Sequence, residues 1–202
     1  MKKVLLMAAA LLLAPLAVSA VEYQEGVHYT VINDGPATAK PEITEFFSFY
    51  CPHCFTFSKT VVPKILTDKP EGVAFNQAHV DFIGKEMGVE MSRAFAVAHQ
   101  LNVDEKMDAA LFSAIHEKKQ HFTNRDDVRA VFIANGVDGK TFDAAAESFM
   151  VKAQMAKMKR DTENAKLTGV PALVVNGKYR VETGAIKSYD ELLEIAFYLA
   201  KK

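Results

Sequence analysis

The chain has 202 residues, half of them hydrophobic and 24% charged, with a formal net charge of −1. That length and balance suit one globular domain, or one domain carrying an insertion, and exclude fibrous and disordered classes. Only two cysteines are present, Cys51 and Cys54, which excludes a disulfide-stapled scaffold and a four-cysteine zinc site built from one chain. So mildly acidic a composition carries no nucleic-acid signature.

Residues 1–20 read as a secretory signal peptide. Lys2 and Lys3 form a charged start, residues 4–13 are apolar, Pro15 breaks the helix, and Val18-Ser19-Ala20 offers small residues for cleavage. The apolar run is shorter than the roughly 20 residues a bilayer span needs. Cleavage leaves 22 basic against 25 acidic residues and an exported protein. In a Gram-negative cell the destination is the periplasm, an oxidising space.

After a turn-rich Asn33-Asp34-Gly35-Pro36, residues 42–50 form an aromatic and β-branched run that predicts a buried strand. Cys51-Pro52-His53-Cys54 follows at once. Residues 55–66 predict a helix with Phe55, Val62, Ile65 and Leu66 as its apolar contacts. Pro52 suits a helix's first turn, where no N–H partner is lost, and Pro63 should kink or end the helix. A second strand is predicted over 73–82.

From residue 83 to about 159 the pattern is helical, with no strand. One helix is predicted over 91–101 and a second is capped by Asp104. A third is led by Thr123 or Asn124 and closed by Gly136, and a fourth runs from Asp138 through Phe149. Strands return over 172–175 and 178–181, joined by Asn176-Gly177, the strongest hairpin signal in the chain. Ser188 and Glu191 form a capping box before a last amphipathic helix. Residues 21–82 and 159–202 thus make one discontinuous α/β domain, and residues 83–158 an inserted helical domain.

The two cysteines carry the chemistry. Their spacing lets them close a small disulfide ring, and the strand-to-helix junction puts Cys51 where free N–H groups and the helix dipole favour an anion. The thiolate is the reactive form, and such sites lower a cysteine pKa. Stabilising the thiolate also makes the disulfide a stronger oxidant. His53, between the two, adds a positive charge or a donor. An inert buried pair or half a zinc site would need no aromatic strand before it and no helix after it. The other five histidines show no ligand spacing and read as surface or core residues.

Through Glu45-Phe46-Phe47-Ser48-Phe49-Tyr50-Cys51-Pro52-His53-Cys54 and Gly169-Val170-Pro171-Ala172, and through the place of the helical insert, the chain resembles the DsbA thiol:disulfide oxidoreductases. The resemblance implies an α/β thioredoxin fold with an inserted all-helical subdomain. It implies Cys51 as the exposed nucleophile, Cys54 as its buried partner, and a cis Val170–Pro171 bond beside them. From the residues alone, Pro171 reads simply as the start of an edge strand. The family's acid beneath the cysteines, linked to proton transfer at the second one, corresponds to Glu45. Its usual lysine partner on the neighbouring strand is replaced here by Gln77, and a first-turn acid of some relatives by Ser58.

The resemblance further implies that the Cys51–Cys54 disulfide is donated to reduced, unfolded exported proteins and restored by a membrane oxidase of the DsbB type. Val170, Pro171, Phe82 and Ile83 would form the peptide-binding surface of a monomer. No flavin, nicotinamide or metal motif is visible, so the cysteine pair is expected to be the whole redox centre. The rivals are a disulfide isomerase or reductase, a metal carrier using Cys51, His53 and Cys54, and a peptide-holding chaperone.

Overall fold

Five strands build the sheet, and the first of them has no counterpart in the sequence pattern. The computed structural model describes residues 22–202, so the signal peptide expected over 1–20 lies outside the described residues. β1 (Tyr29–Val31), β2 (Glu42–Phe47), β3 (Ala74–His79), β4 (Ala172–Val175) and β5 (Tyr179–Val181) lie in the order β1-β5-β4-β2-β3. β2 and β3 run parallel; the other neighbours are antiparallel.

Between β2 and β3 the chain forms α1 (Pro52–Thr60) and α2 (Val62–Asp68). One continuous helix over 55–66 was expected. Instead the backbone breaks at Val61, and Pro63 enters the first turn of a second helix, where its missing N–H is harmless. Leu66, expected as an apolar contact, points outward at 56% exposure, and Phe57 is fully buried in its stead. With α8 (Tyr189–Leu199), these helices cover one face of the sheet and bury Ile43, Leu173 and Val175.

The opposite core belongs to the insert: α3 (Glu86–Gln100), α4 (Asp104–His116), α5 (Arg125–Ala134), α6 (Gly139–Glu147) and α7 (Phe149–Asn164). Asn124 caps α5 in a reciprocal box with Asp127, and Asp138 caps α6. Asp104 does not cap α4. It is the first helical residue, and its carboxylate meets Nδ1 of His99 on α3, at 2.8 Å. Nor does one helix run from Asp138 through Phe149. Ser148 leaves helical geometry and accepts the Val151 N–H, opening α7. That helix passes without a break through position 158, and Met158 sulfur accepts the His79 N–H of β3, so insert and sheet share it.

The Asn176-Gly177 hairpin forms as expected, with both residues at positive φ (53° and 61°), the geometry that suits the right-handed twist of strands. Ser188 caps α8 by accepting the Glu191 N–H. The Glu191 carboxylate, however, takes the N–H of Lys187, so the box is not reciprocal at Ser188.

Candidate active site

β2 delivers the chain to the C-terminal edge of the sheet and stops at Phe47, three residues before the aromatic run ends. There the Phe47 carbonyl accepts the Val80 N–H, and the Cys51 N–H turns back to the Ser48 carbonyl at 3.0 Å. That turn sets Cys51 as the N-cap of α1, in extended geometry, with Pro52 as the first helical residue. The Cys51 sulfur takes the place of a capping oxygen and accepts the Cys54 N–H at 3.2 Å.

Both thiols are free in this structure. Cys51 keeps only 6% of its surface, and Cys54 keeps none. The expectation of an exposed nucleophile therefore needs correction: Cys51 is buried. The Val170 carbonyl accepts its thiol at 3.3 Å. The Val170–Pro171 bond is cis, and Ala172 beyond it begins β4.

The Cys51 thiol is lowered from about 9 to about 6. The adjacent Cys54 thiol contributes most, burial opposes it, and the backbone N–H groups of Cys54 and His53 and the charge of His53 assist. Cys54 moves in the opposite direction, held up by the Cys51 sulfur and by burial. At roughly 1.4 kcal/mol per pKa unit the asymmetry is worth a few kcal/mol. It makes one sulfur a nucleophile and the other a proton holder. His53 itself is exposed.

Glu45 lies on β2 directly opposite Gln77 of β3, the position at which the resemblance puts its partner. The carboxyl is 1% exposed and accepts from the Gln77 amide at 2.8 Å. Burial pushes it up to about 8; the amide pulls downward and the Cys51 charge adds to the rise. A neutral amide cannot compensate a buried carboxylate as a cation would, so this acid is poised to hold a proton.

Phe82 and Ile83 sit on the loop after β3. Phe82 is 43% exposed, while Ile83 is half-buried against the insert core. The loop meets the site through Gly84, where a side chain would collide with the ring of Tyr50, the residue before Cys51. Gly88 fixes it from below, since a Cβ there would strike the carbonyls of Asp81 and Ile83. Val170 borders Cys51 through its carbonyl, and Phe82 and Ile83 approach the site only through the Gly84–Tyr50 contact. Among the described residues no three of His, Cys, Asp and Glu converge at a spacing that holds a metal ion.

Two histidines carry more than the sequence suggests. His79 is buried, accepts the Phe49 N–H at Nε2, and meets Ser92 at Nδ1. His116 bonds the Phe49 carbonyl. Both partners lie far away in sequence, and no local spacing announces them.

Known proteins share this arrangement. The profile of the DSBA-like thioredoxin domain matches residues 42–194. The thiol:disulfide interchange protein DsbA of Escherichia coli K12 is 39% identical over 183 residues, covering 90% of this chain and 86% of its own length. That of Yersinia pestis is 40% identical over 168 residues, covering 82% and 80%. The structure of Proteus mirabilis DsbA with a non-covalently bound peptide superposes with a TM-score of 0.81 at 34% identity, over 90% of this chain and all of that one. The matched residues span the cysteine pair at the head of α1, the helical insert and the cis-proline loop, and the chain belongs to the DSBA-like thioredoxin domain family.

Proposed function

We propose that the chain is a thiol:disulfide oxidoreductase that works as a dithiol oxidase of reduced, unfolded exported proteins in the periplasm. The observation that carries this reading is the asymmetry of the pair: Cys51 is held down to about 6 at a helix N-terminus, and Cys54 is fully buried and held up.

In the oxidised enzyme a substrate thiolate attacks the Cys51 sulfur. The Cys51–Cys54 bond breaks, and Cys54 leaves with the electron pair and takes up a proton, with Glu45 beneath it as the donor. A second substrate thiolate then attacks the substrate sulfur of the mixed disulfide. Cys51 departs as a stabilised thiolate, the substrate gains a disulfide, and the enzyme holds two electrons more. A membrane oxidase of the DsbB type removes them. No other cofactor takes part, and the enzyme acts as a monomer.

Pro52 keeps the first turn of α1 free of a competing donor, and His53 adds positive charge beside the Cys51 sulfur. Val170 and Pro171 place backbone next to that sulfur, where an extended peptide can align, while Phe82 and Ile83 supply an apolar border without sequence demands. The Proteus mirabilis relative is seen in complex with a non-covalently bound peptide, which supports a peptide substrate here.

Redox titration against glutathione tests the reading, comparing the wild type with His53→Pro. The wild type should equilibrate far above thioredoxin's roughly −270 mV, and His53→Pro should lower the potential. A wild-type value near thioredoxin's would make the chain a reductase. Stoichiometric Zn²⁺ binding without oxidase turnover would make it a carrier, and folding assistance that survives Cys51→Ser with Cys54→Ser would make it a chaperone.

A further inference from the structure

Phe49 lies two residues before Cys51, and Phe55 directly follows Cys54, so these two residues flank the redox turn at its entry and its exit. One helix of the insert, α4, meets them both. Its Phe112 and His116 stand four residues apart and share a face. The Phe112 ring lies 5.0 Å from the ring of Phe49 and 5.8 Å from that of Phe55. The His116 imidazole donates from Nε2 to the Phe49 carbonyl at 2.7 Å and stacks on Phe55 with centroids 4.9 Å apart, at 14°.

The polar half of this grip has no substitute. Phe49 is fully buried, and among the described residues His116 is the only hydrogen-bond partner of its carbonyl. The N–H of Phe49 is held by His79 of β3, so both peptide groups of this residue are fixed. Two residues on, the Cys51 N–H returns to the Ser48 carbonyl. At the exit, the Phe55 N–H donates to the Cys51 carbonyl at 3.1 Å. The Lys59 ammonium lies over the Phe55 ring at 4.0 Å and pairs with Glu117, the C-cap of α4, at 2.6 Å. A single imidazole from the insert therefore ties the entry of the turn to its exit.

The Cys51 sulfur is a favoured anion only while the N–H groups at the head of α1 aim at it. Its bond from the Cys54 N–H spans 3.2 Å, and such bonds weaken steeply as their geometry degrades. We propose that His116 is a positioning residue for Cys51: by bonding the Phe49 carbonyl and stacking on Phe55 it sets the entry turn against the first turn of α1 and keeps the sulfur within reach of the Cys54 N–H. The inference rests on Cys51 being the reactive thiol, and it gives the helical insert a part in the chemistry. The titratable and charged groups around the turn are His53, Cys54 and Lys59 of α1, Glu45 of β2, His79 of β3 and Glu117 after α4. None of them bonds the Phe49 carbonyl.

The test is a pH titration of the Cys51 thiol in the reduced protein, read by ultraviolet thiolate absorbance against a Cys51→Ser background, with circular dichroism to verify folding. His116→Ala should raise the thiol's pKa by about one unit, a tenfold change in its proton affinity. His116→Gln keeps an N–H donor without a charge and should return most of that shift, which separates positioning from the loss of a positive charge. Phe55→Leu removes the stacked ring, leaves the carbonyl bond, and should move the titration the same way by less. A His116→Ala titration that superposes on the wild type, with stability alone reduced, makes the imidazole purely structural and overturns the proposal. A His116→Gln shift as large as that of His116→Ala overturns it too, and so does a downward shift in Phe55→Leu. A wild-type thiol that titrates at its ordinary value near 9 is a different failure: it removes Cys51 as an activated nucleophile, and the functional reading falls with it.

Discussion

His116 on α4 and Phe49 before the active-site helix are joined by a 2.7 Å hydrogen bond from Nε2 to the Phe49 carbonyl. The imidazole also stacks on Phe55 of α1, with ring centroids 4.9 Å apart and an interplanar angle of 14°. Because a carbonyl only accepts, Nε2 carries the proton. Phe49 is fully buried, so its carbonyl has no water to turn to if the imidazole is lost. His116→Ala should cost about 1–3 kcal/mol, the penalty for an unsatisfied buried acceptor, and His116→Gln should recover part of it. Urea denaturation of the three proteins at pH 7 measures the difference, and equal midpoints would remove the bond from the account.

The N–H of that same residue is bound by His79, which has the opposite tautomer: Nε2 accepts from Phe49 and Nδ1–H is left to face Ser92. Burial holds this imidazole down to about 3. An unfolded histidine titrates near 6.5, so the unfolded chain binds a proton that the folded one refuses. Stability is intact above about 6.5 and is lost as pH falls toward 3, by up to roughly 5 kcal/mol. His79→Gln keeps an acceptor for Phe49 without that titration. Its unfolding free energy should fall less than the wild type's between pH 7 and pH 4; parallel losses would assign the acid sensitivity elsewhere.

Glu45 works in the other direction. Unfolded, it ionises near 4.5; folded, only near 8. Between those values the unfolded chain has released a proton that the folded chain retains, so this residue's contribution falls as pH rises. The loss is absent below about 4.5 and complete above about 8, with a ceiling on the order of 5 kcal/mol. Glu45→Gln should therefore match the wild type at pH 4.5 and exceed it by several kcal/mol at pH 8.5. Gln77→Lys, by supplying a cation at 2.8 Å range of the carboxylate, should flatten the same profile. Denaturant unfolding across that pH range reads both, and a Glu45→Gln gain independent of pH would contradict the assignment.

What the sequence made legible here is mostly local. Pro52 after an aromatic strand located Cys51 at a helix start, and the Asn176-Gly177 pair located the β4–β5 hairpin, because a few adjacent φ values decide each. The Glu45–Gln77 pairing came through the family resemblance, since neither strand's own pattern fixes its register against the other. β1 escaped notice because three residues hold no period and its partner β5 lies some 150 positions away. The aromatic run 42–50 looked like one strand, yet its last backbone groups go to Ser48, His79 and His116 and not to a ladder. The same distance effect hid both histidines: His79 and His116 act on Phe49 across 30 and 67 positions.

The lowered Cys51 thiol sets the stability of the reduced enzyme against the oxidised one. In the oxidised protein Cys51 has no proton to lose, so the difference between the two redox forms isolates its titration. Folded, the thiol ionises near 6; unfolded, near 9. A depressed acid stabilises the fold above its folded pKa, increasingly so up to the unfolded one. The reduced form should therefore gain on the oxidised form from pH 6 upward, by about 1 kcal/mol at pH 7 and on the order of 4 kcal/mol near pH 9. Cys54, raised above its ordinary value, opposes this only beyond about pH 9, outside the window. Melting temperatures of both forms at pH 5, 7 and 8.5 measure the slope. A gap that does not widen with pH would mean that the thiolate at the head of α1 is not what drives the disulfide onto substrates.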